Sequence, residues 1–276
     1  MQCAICFGAS DSGKRLFEDI SNRYKIIAYT DNDSRKWGGS IHGIKIVSPD
    51  TAISMKPDSF VITSLPGLKA IKNQLIRSGI KKMNIDDSYV IAPLEARRIF
   101  LQRLASVLQN QHEEGMVAEA GVFEGDFAEY INLYFPNKTL HLFDTFEGFD
   151  ERDLLSEKMY SNAEKGDYSN TSVEIVIKKM KYPDKVVVHK GFFPETAQGI
   201  DGKFCFVNLD LDLYEPTYAG LKFFESKMTD HGVILVHDYF ARNFKGPKEA
   251  VDKFVNERPA SRIVPIGDGI SIMVLL

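Results

Sequence analysis

The 276-residue sequence lacks several features that mark whole classes of protein. It has no apolar run long enough to span a membrane and no basic, apolar leader, so we expect a soluble, cytoplasmic protein without membrane insertion. Its three cysteines are an odd count inside apolar, strand-like runs, which favours buried thiols over a disulfide framework. No stripe of Lys and Arg is present and the formal net charge is -4, so nucleic acid is not an expected partner.

What is present is an alternation of short, β-branched apolar runs with amphipathic ones. This pattern predicts an α/β fold with two doubly wound, Rossmann-like domains. The short link GDG at residues 267–269 suits a hairpin, so we expect the second sheet to end in an antiparallel strand. We place a small domain at residues 1–90, a linker helix beginning near Pro93 at residues 91–113, and a larger domain at residues 114–276.

A glycine-containing turn opens the larger domain. The segment EAGVFEGD, with Glu119, Gly121 and Gly125, runs from a predicted strand into a helix, where backbone N–H groups can approach a ligand. Asp144 ends the next predicted strand, at the place where an acid can accept the hydroxyls of a ribose. The glycine turn and Asp144 together predict a nucleoside-containing ligand. The other interpretation is that the tight turn needs glycine for its geometry alone.

Acidic residues end two later apolar runs. FVNLDLDLYEPT carries Asp210 and Asp212, and GVILVHDYF carries His237 and Asp238. Buried carboxylates are costly unless they are paired, hydrogen-bonded or bound to a cation. Because the carboxyl ends of adjacent strands meet at one crevice in a doubly wound sheet, we expect these four side chains to lie together. Helix capping or a structural ion pair would not explain acids at both strand ends.

Five motifs in the larger domain resemble those of the macrocin O-methyltransferase (TylF-type) family, which are class I S-adenosylmethionine-dependent sugar O-methyltransferases. The motifs are EAGVFEGDFAEYI, FDTFEGF, KGFFPET, NLDLDLYEPTYAGL and GVILVHDY. The resemblance implies a methyltransferase sheet that binds S-adenosylmethionine. It implies further that Glu119 and Gly121 lie near the methionine part of the cofactor, that Asp144 holds its ribose, and that Phe193 lies beside its adenine. An ordinary core position is the alternative for Phe193.

The same resemblance implies a metal site. It makes Asp210 a Mg²⁺ ligand and candidate general base, makes Asp238 a second ligand, and places Asp212 close to the reacting hydroxyl. His237 stands where a second acid is usual, and imidazole is a poorer partner for Mg²⁺ than a carboxylate. Three outcomes stay open: the metal keeps two carboxylates and more water, it is a softer divalent cation such as Mn²⁺ with His237 in its site, or it is absent and His237 is the base.

The activity implied is methylation of a sugar hydroxyl in bacterial polysaccharide or natural-product glycoside synthesis. A catechol or another non-sugar diol is an alternative acceptor. A different class, an inactive protein that binds a nucleotide or nucleotide-sugar, is also considered. The polar segment at residues 148–171 is longer than an ordinary α/β connection, and we expect it to cover the acceptor as a lid. The sequence leaves the oligomeric state open.

The first domain has a nucleotide-site pattern of its own. Gly8, Ser10 and Gly13 form a loose glycine turn after the first strand, and Asp31 ends the second strand. This half is similar to the small Rossmann-like N-terminal domains of PglD-type sugar O-acyltransferases, which implies a nucleotide-sugar as a possible ligand. A scaffold or dimerisation domain is the alternative.

Overall fold

The structure is a computed structural model that describes residues 1–276. The chain divides into two compact units, Met1–Leu94 and Glu95–Leu276. Each unit holds a mainly parallel sheet with helical crossovers, so the predicted α/β class with two Rossmann-like sheets is confirmed. None of the helices combines the length and apolar character needed to cross a lipid bilayer.

The first unit contains a six-stranded sheet in the order β3-β4-β2-β1-β5-β6. All neighbouring strands run parallel except the short β3, which pairs antiparallel with β4. Its strands are β1 Gln2–Phe7, β2 Tyr24–Thr30, β3 Ser40–Ile41, β4 Ile44–Val47, β5 Ser59–Ile62 and β6 Ile85–Asp86. Its helices are α1 Asp11–Arg15, α2 Phe17–Ser21, α3 Pro49–Ser54 and α4 Leu68–Arg77.

The long helix α5 spans Ser88–Asn110 and continues from the first unit into the second. It begins before Pro93, where the sequence predicted its start, and Pro93 lies inside it. The reason is local. The carboxylate of Asp86 accepts hydrogen bonds from the backbone N–H (3.0 Å) and the hydroxyl (2.6 Å) of Ser88. A backbone donor at the start of the helix, which has no partner within the helix, is thereby hydrogen-bonded.

The second unit contains a seven-stranded sheet in the order β12-β13-β11-β10-β7-β8-β9. The last strand, β13, runs antiparallel to both of its neighbours, as the short GDG link predicts. Its strands are β7 Met116–Ala120, β8 Leu140–Asp144, β9 Val186–Lys190, β10 Phe204–Leu209, β11 Met228–Val236, β12 Arg262–Pro265 and β13 Ile272–Leu275. Its remaining helices are α6 Asp126–Tyr134, α7 Glu151–Glu157, α8 Val173–Lys179, α9 Tyr214–Glu225 and α10 Gly246–Asn256.

Side chains on the two faces of this second sheet enter two separate cores. One core contains apolar residues of α5, α6 and α8, and the other contains those of α9 and α10. Helices cover both faces of the sheet, so a ligand can reach it at the edge formed by the carboxyl ends of the parallel strands. The turn after β7, the end of β8, and the acids after β10 and β11 therefore come together at one crevice.

Candidate active site

The glycine turn after β7 is shaped by close packing. Gly121 has φ +82°, and a Cβ there would lie 1.9 Å from the carbonyl oxygen of Asp210. Gly125 has φ +79°, and its Cβ would lie 2.9 Å from Val176. Both glycines are required by the packing of the chain itself. The contact between Gly121 and Asp210 also places the glycine turn directly beside the acids after β10. The role of Gly121 and Gly125 beside a cofactor stays a prediction.

Asp144 ties the end of β8 to this turn. Its Oδ2 accepts hydrogen bonds from the backbone N–H groups of Val122 (2.7 Å) and Phe123 (2.9 Å), and its Oδ1 accepts one from Phe146 (2.7 Å). A carboxylate has about four acceptor positions, so it retains capacity for a further donor. The structure thus gives Asp144 a role in shaping the turn, and its predicted role as the ribose ligand remains a prediction.

Glu119 lies inside the protein and not on the wall of the crevice. Its side chain is 2% exposed, and its Oε1 accepts a hydrogen bond from the Asn208 amide (2.7 Å). Its Oε2 has no hydrogen-bond partner. Burial, together with the charge of Asp210, raises the pKa of Glu119 to about 8. The structure places Glu119 in a buried polar network, and its predicted place near the methionine part of the cofactor stays a prediction.

Arg97 of α5 links that network to the acids, and the sequence reasoning missed it. Its Nη2 donates to Asn208 Oδ1 (2.9 Å) and to Asp210 Oδ2 (3.0 Å), and its guanidinium lies 4.0 Å from the ring centroid of Phe127. A signal was available, because Arg97 precedes Leu101 by one turn on the buried face of α5. A charged residue on an apolar stripe needs a buried partner.

The acids and the histidine do come together, as predicted from the strand ends. His237 Nδ1 lies 3.0 Å from Asp210 Oδ1 and 2.9 Å from Asp238 Oδ2. Burial and Arg97 lower the pKa of His237, but the charges of Asp210 and Asp238 outweigh them and raise it to about 10. Burial, the charges of Asp238 and Asp210, and a hydrogen bond to Asp238 raise the pKa of Asp212.

The backbone at this cluster is strained. Asp212 and Asp238 both have φ +60°, in the left-handed region that non-glycine residues seldom adopt. Phe123, in the glycine turn, and Tyr168 also have positive φ, at +48° and +62°. Strained residues persist where the surrounding structure over-determines them, and they concentrate at functional sites.

The segment at residues 148–171 folds back over the crevice. Its two ends meet, since a Cβ on Gly148 would lie 2.4 Å from the carbonyl oxygen of Asp167. The ring of Tyr168 packs edge-on against Phe123 and Phe149, each with centroids 5.3 Å apart. Burial and the charges of Asp212, Asp238 and Asp210 raise the pKa of Tyr168, so its hydroxyl is close to the acids. Tyr168 is a second site residue that the sequence reasoning missed.

Helix α7 fixes this segment to the start of α9. Glu157 is 1% exposed and accepts hydrogen bonds from the backbone N–H of Tyr214 (2.9 Å) and the hydroxyl of Ser161 (2.9 Å). The ring of Tyr160 stacks on Tyr214 at 5.1 Å. Since α9 has no side-chain cap of its own, Glu157 supplies one from another element.

Two cavities lie beside the chain that follows β9, and the larger also borders the carboxyl end of β8. The larger has a volume of about 550 Å³ and includes Thr145, Lys190 and Phe192 in its walls. Phe192 also lines the smaller cavity of about 370 Å³, and its ring lies under the Arg152 guanidinium at 3.5 Å. Phe193, predicted to lie beside adenine, is 5% exposed and packs in the core. Phe193 also lines the smaller cavity, next to Phe192, and its predicted place beside adenine stays a prediction.

In the first unit, the predicted nucleotide-site residues are held by protein contacts. Asp31 accepts hydrogen bonds from the backbone N–H groups of Ala9 (2.8 Å) and Asp33 (2.9 Å) and pairs with Lys36 (2.8 Å). A Cβ on Gly13 would lie 2.4 Å from the Gly8 carbonyl oxygen, and the side chain of Ser10 makes no capping bond to α1. Nucleotide binding at Gly8, Ser10, Gly13 and Asp31 stays a prediction.

The residues of the crevice fit the two groups that the motif resemblance implies. Around a Mg²⁺-sized ion with bonds of about 2.1 Å, neighbouring ligand atoms lie about 3.0 Å apart. The separations of His237 Nδ1 from Asp210 and Asp238, at 3.0 and 2.9 Å, match that spacing. The carboxylates bordering the glycine turn suit the positive sulfonium of S-adenosylmethionine, and the larger cavity offers a concave surface at the strand ends.

Comparison with solved structures supports the fold of the second unit. The O-methyltransferase NovP is 19% identical, with a TM-score of 0.55 over 64% of this chain and 78% of its own. CalS11, described as a calicheamicin methyltransferase, is 18% identical, with a TM-score of 0.51 over 77% of this chain and 86% of its own. Sequence comparison with curated proteins gives no match.

Two family models match the sequence. Residues 1–85 match the family described as C2185-like, N-terminal, so the PglD-type resemblance of the first half is not confirmed. Residues 95–268 match macrocin-O-methyltransferase (TylF), which includes the glycine turn, Asp144 and all four residues of the acid cluster. The chain belongs to the macrocin-O-methyltransferase (TylF) family and is an S-adenosylmethionine-dependent O-methyltransferase.

Proposed function

We propose that this enzyme methylates a hydroxyl group of a sugar, in a bacterial polysaccharide or natural-product glycoside, with the help of a divalent cation. The observation that carries the proposal is the meeting of Asp210, Asp212, His237 and Asp238 beside the glycine turn, where the Asp210 carbonyl touches Gly121. A sugar hydroxyl holds its proton tightly at neutral pH, so its methylation needs a base at the acceptor oxygen. The cluster supplies carboxylates at the required edge of the sheet.

We assign the proton transfer to Asp212. Both oxygens of Asp210 are engaged, one by Arg97 and the other by His237, so Asp210 is better suited to hold a charge than to accept a proton. S-adenosylmethionine supplies a methyl group on a positively charged sulfur. With S-adenosylmethionine bound, the acceptor oxygen would take the methyl carbon, the carbon–sulfur electron pair would stay with sulfur in S-adenosylhomocysteine, and Asp212 would take the hydroxyl proton.

Asp210, His237 and Asp238 would hold the cation. A divalent ion supplies Lewis-acid stabilisation of negative charge on a nearby oxygen. Arg97 maintains the position of Asp210, and Tyr168 closes the crevice from the lid side. Two adjacent hydroxyls, as on a sugar ring, suit an ion that keeps open positions.

The proposal is tested with the purified chain in two steps. Calorimetric titration with S-adenosylmethionine should show one site, with affinity reduced about tenfold or more in Asp144→Ala, because that change releases the glycine turn. Asp201→Ala, at an exposed aspartate outside the glycine turn, is the matched control. Labelled cofactor and a panel of glycosides, nucleotide-sugars and catechols then identify the acceptor.

The second step concerns the base. Asp212→Asn should lower turnover by about a hundredfold or more while cofactor affinity is retained, and the exposed Asp230→Asn should leave both unchanged. Full turnover by Asp212→Asn would contradict the assignment of the base. Methyl transfer to catechols and to no sugar would contradict the proposed acceptor class.

A further inference from the structure

The ligand set of the proposed cation site is mixed. Asp210 and Asp238 offer carboxylate oxygens and His237 offers a ring nitrogen, with the three ligand atoms within 4.8 Å of one another. His237 Nδ1 is the atom that faces both acids. One imidazole and two carboxylates therefore form a compact set on one side of the site.

A second observation concerns the charge of this set. Asp210 Oδ2 is already paired with the guanidinium of Arg97 at 3.0 Å, and the Arg97 side chain is 10% exposed. Part of the negative charge at Asp210 is therefore neutralised by the protein. A hard ion that binds mainly through charge loses more from this pairing than an ion that also gains from a nitrogen ligand.

We propose that Asp210, His237 and Asp238 select a first-row transition ion, represented by Mn²⁺, over Mg²⁺. Mg²⁺ prefers oxygen ligands and keeps its water, whereas imidazole suits first-row ions such as Zn²⁺ and Fe²⁺. Mn²⁺, which also accepts carboxylates and is the weakest binder of that series, is the most demanding probe of this class. The residue that sets the preference is His237, because it is the only nitrogen ligand of the group. This selectivity presupposes the metal-assisted methyl transfer proposed above and adds the class of ion that the site takes.

Metal binding to the full chain, freed of ions by a chelator, tests the selectivity without an acceptor. Calorimetric titrations with Mn²⁺ alone and Mg²⁺ alone should give one site, with Mn²⁺ bound on the order of tenfold more tightly or better. Pulsed electron paramagnetic resonance of the Mn²⁺ complex should show coupling to a histidine nitrogen.

His237→Asp is the decisive variant. It should abolish the nitrogen coupling and shift the Mn²⁺ to Mg²⁺ affinity ratio toward Mg²⁺ by on the order of tenfold. His231→Asp, at an exposed histidine of β11, the strand that His237 follows, is the matched control and should leave both readouts unchanged. Circular dichroism checks folding, and His237→Asn provides a second variant that removes Nδ1 without adding charge.

The outcomes separate the selectivity from the methyl transfer itself. Equal affinities for the two ions, Mn²⁺ binding without nitrogen coupling, or no ion binding at millimolar concentration would each overturn the proposed selectivity. S-adenosylmethionine is titrated in the same preparations. Cofactor binding and methyl transfer in the absence of any ion would overturn only the proposed role of the cation. A folded protein that binds no cofactor would contradict the proposed function as a whole.

Discussion

Arg97 compensates buried negative charge in the site. It pairs with Asp210 and bonds Asn208, which in turn bonds the buried Glu119. Removing one partner of such a pair leaves the other charge without compensation, and this costs more than the pair contributed. The position of Asp210 beside the glycine turn is therefore coupled to a side chain on α5.

We expect Arg97→Gln to lower the free energy of unfolding by about 2 to 3 kcal/mol, somewhat below the full value for a buried pair because Asp210 is partly exposed. Arg97→Lys should recover only part of this loss, since lysine cannot reproduce the planar fork of guanidinium. Urea unfolding followed by circular dichroism measures the change.

Arg98→Gln is the matched control for Arg97. Arg98 is the next residue on the helix and bonds Glu95 and Tyr134 at the surface. Its loss should cost less than about 1 kcal/mol. Equal effects of the two substitutions would show that Arg97 has no special role.

Among the secondary-structure elements, the sequence predicted which acids end parallel strands better than it predicted the conformation of residues 148–171. Alternating patterns placed Asp144, Asp210 and Asp238 at strand ends, and the parallel sheet brought those ends together because such ends share one edge. The contact of Gly148 with Asp167 and the return of Tyr168 to Phe123 join residues distant in sequence. No local period encodes such contacts, so the sequence indicates a long polar segment but not its conformation, and its role as a lid stays a prediction.

The lid gives a prediction about its closure. Gly148→Ala should open the segment for two reasons. The added Cβ clashes with the Asp167 carbonyl oxygen, and the φ of +84° is unfavourable for alanine. Gly166→Ala is the matched control, since its φ is +87° but no atom lies within 4 Å of the added Cβ. Each substitution costs about 1 kcal/mol or more from φ alone, and only Gly148→Ala adds a steric clash.

Trypsin cleavage within residues 148–171 reports this opening. The segment contains Arg152, Lys158 and Lys165, and the cleavage rate should rise at least about fivefold more in Gly148→Ala than in Gly166→Ala for a further 1 kcal/mol of destabilisation. Equal rates would mean that the contact with Asp167 does not hold the lid closed.

A histidine pair makes the stability of the folded protein depend on pH. His141 of β8 lies 8% exposed, and its Nδ1 is 2.9 Å from His189 Nε2 on β9. Burial, with a smaller contribution from His189, lowers the pKa of His141 from 6.5 to about 4. The unfolded chain therefore binds a proton there at a pH where the folded chain does not.

We expect the contribution of His141 to stability to be present above pH 6.5 and to be lost as the pH falls toward 4. The slope should approach about 1.4 kcal/mol per pH unit within that window. Urea unfolding at a series of pH values measures it, and His141→Leu should flatten the curve. The exposed His231→Leu should not, and an unchanged slope in His141→Leu would assign the acid sensitivity to other groups.

The left-handed backbone at Asp212 and Asp238 also bears on how this enzyme could lose its activity by mutation. Glycine and asparagine are the residues, besides aspartate, that adopt such a conformation most readily. Asparagine or glycine at these two positions would remove the chemistry and leave the fold nearly unaffected, whereas β-branched residues would damage both. Inactive relatives that survive as binding proteins should therefore be recognisable by Asn or Gly at positions 212 and 238, and by an otherwise ordinary sequence.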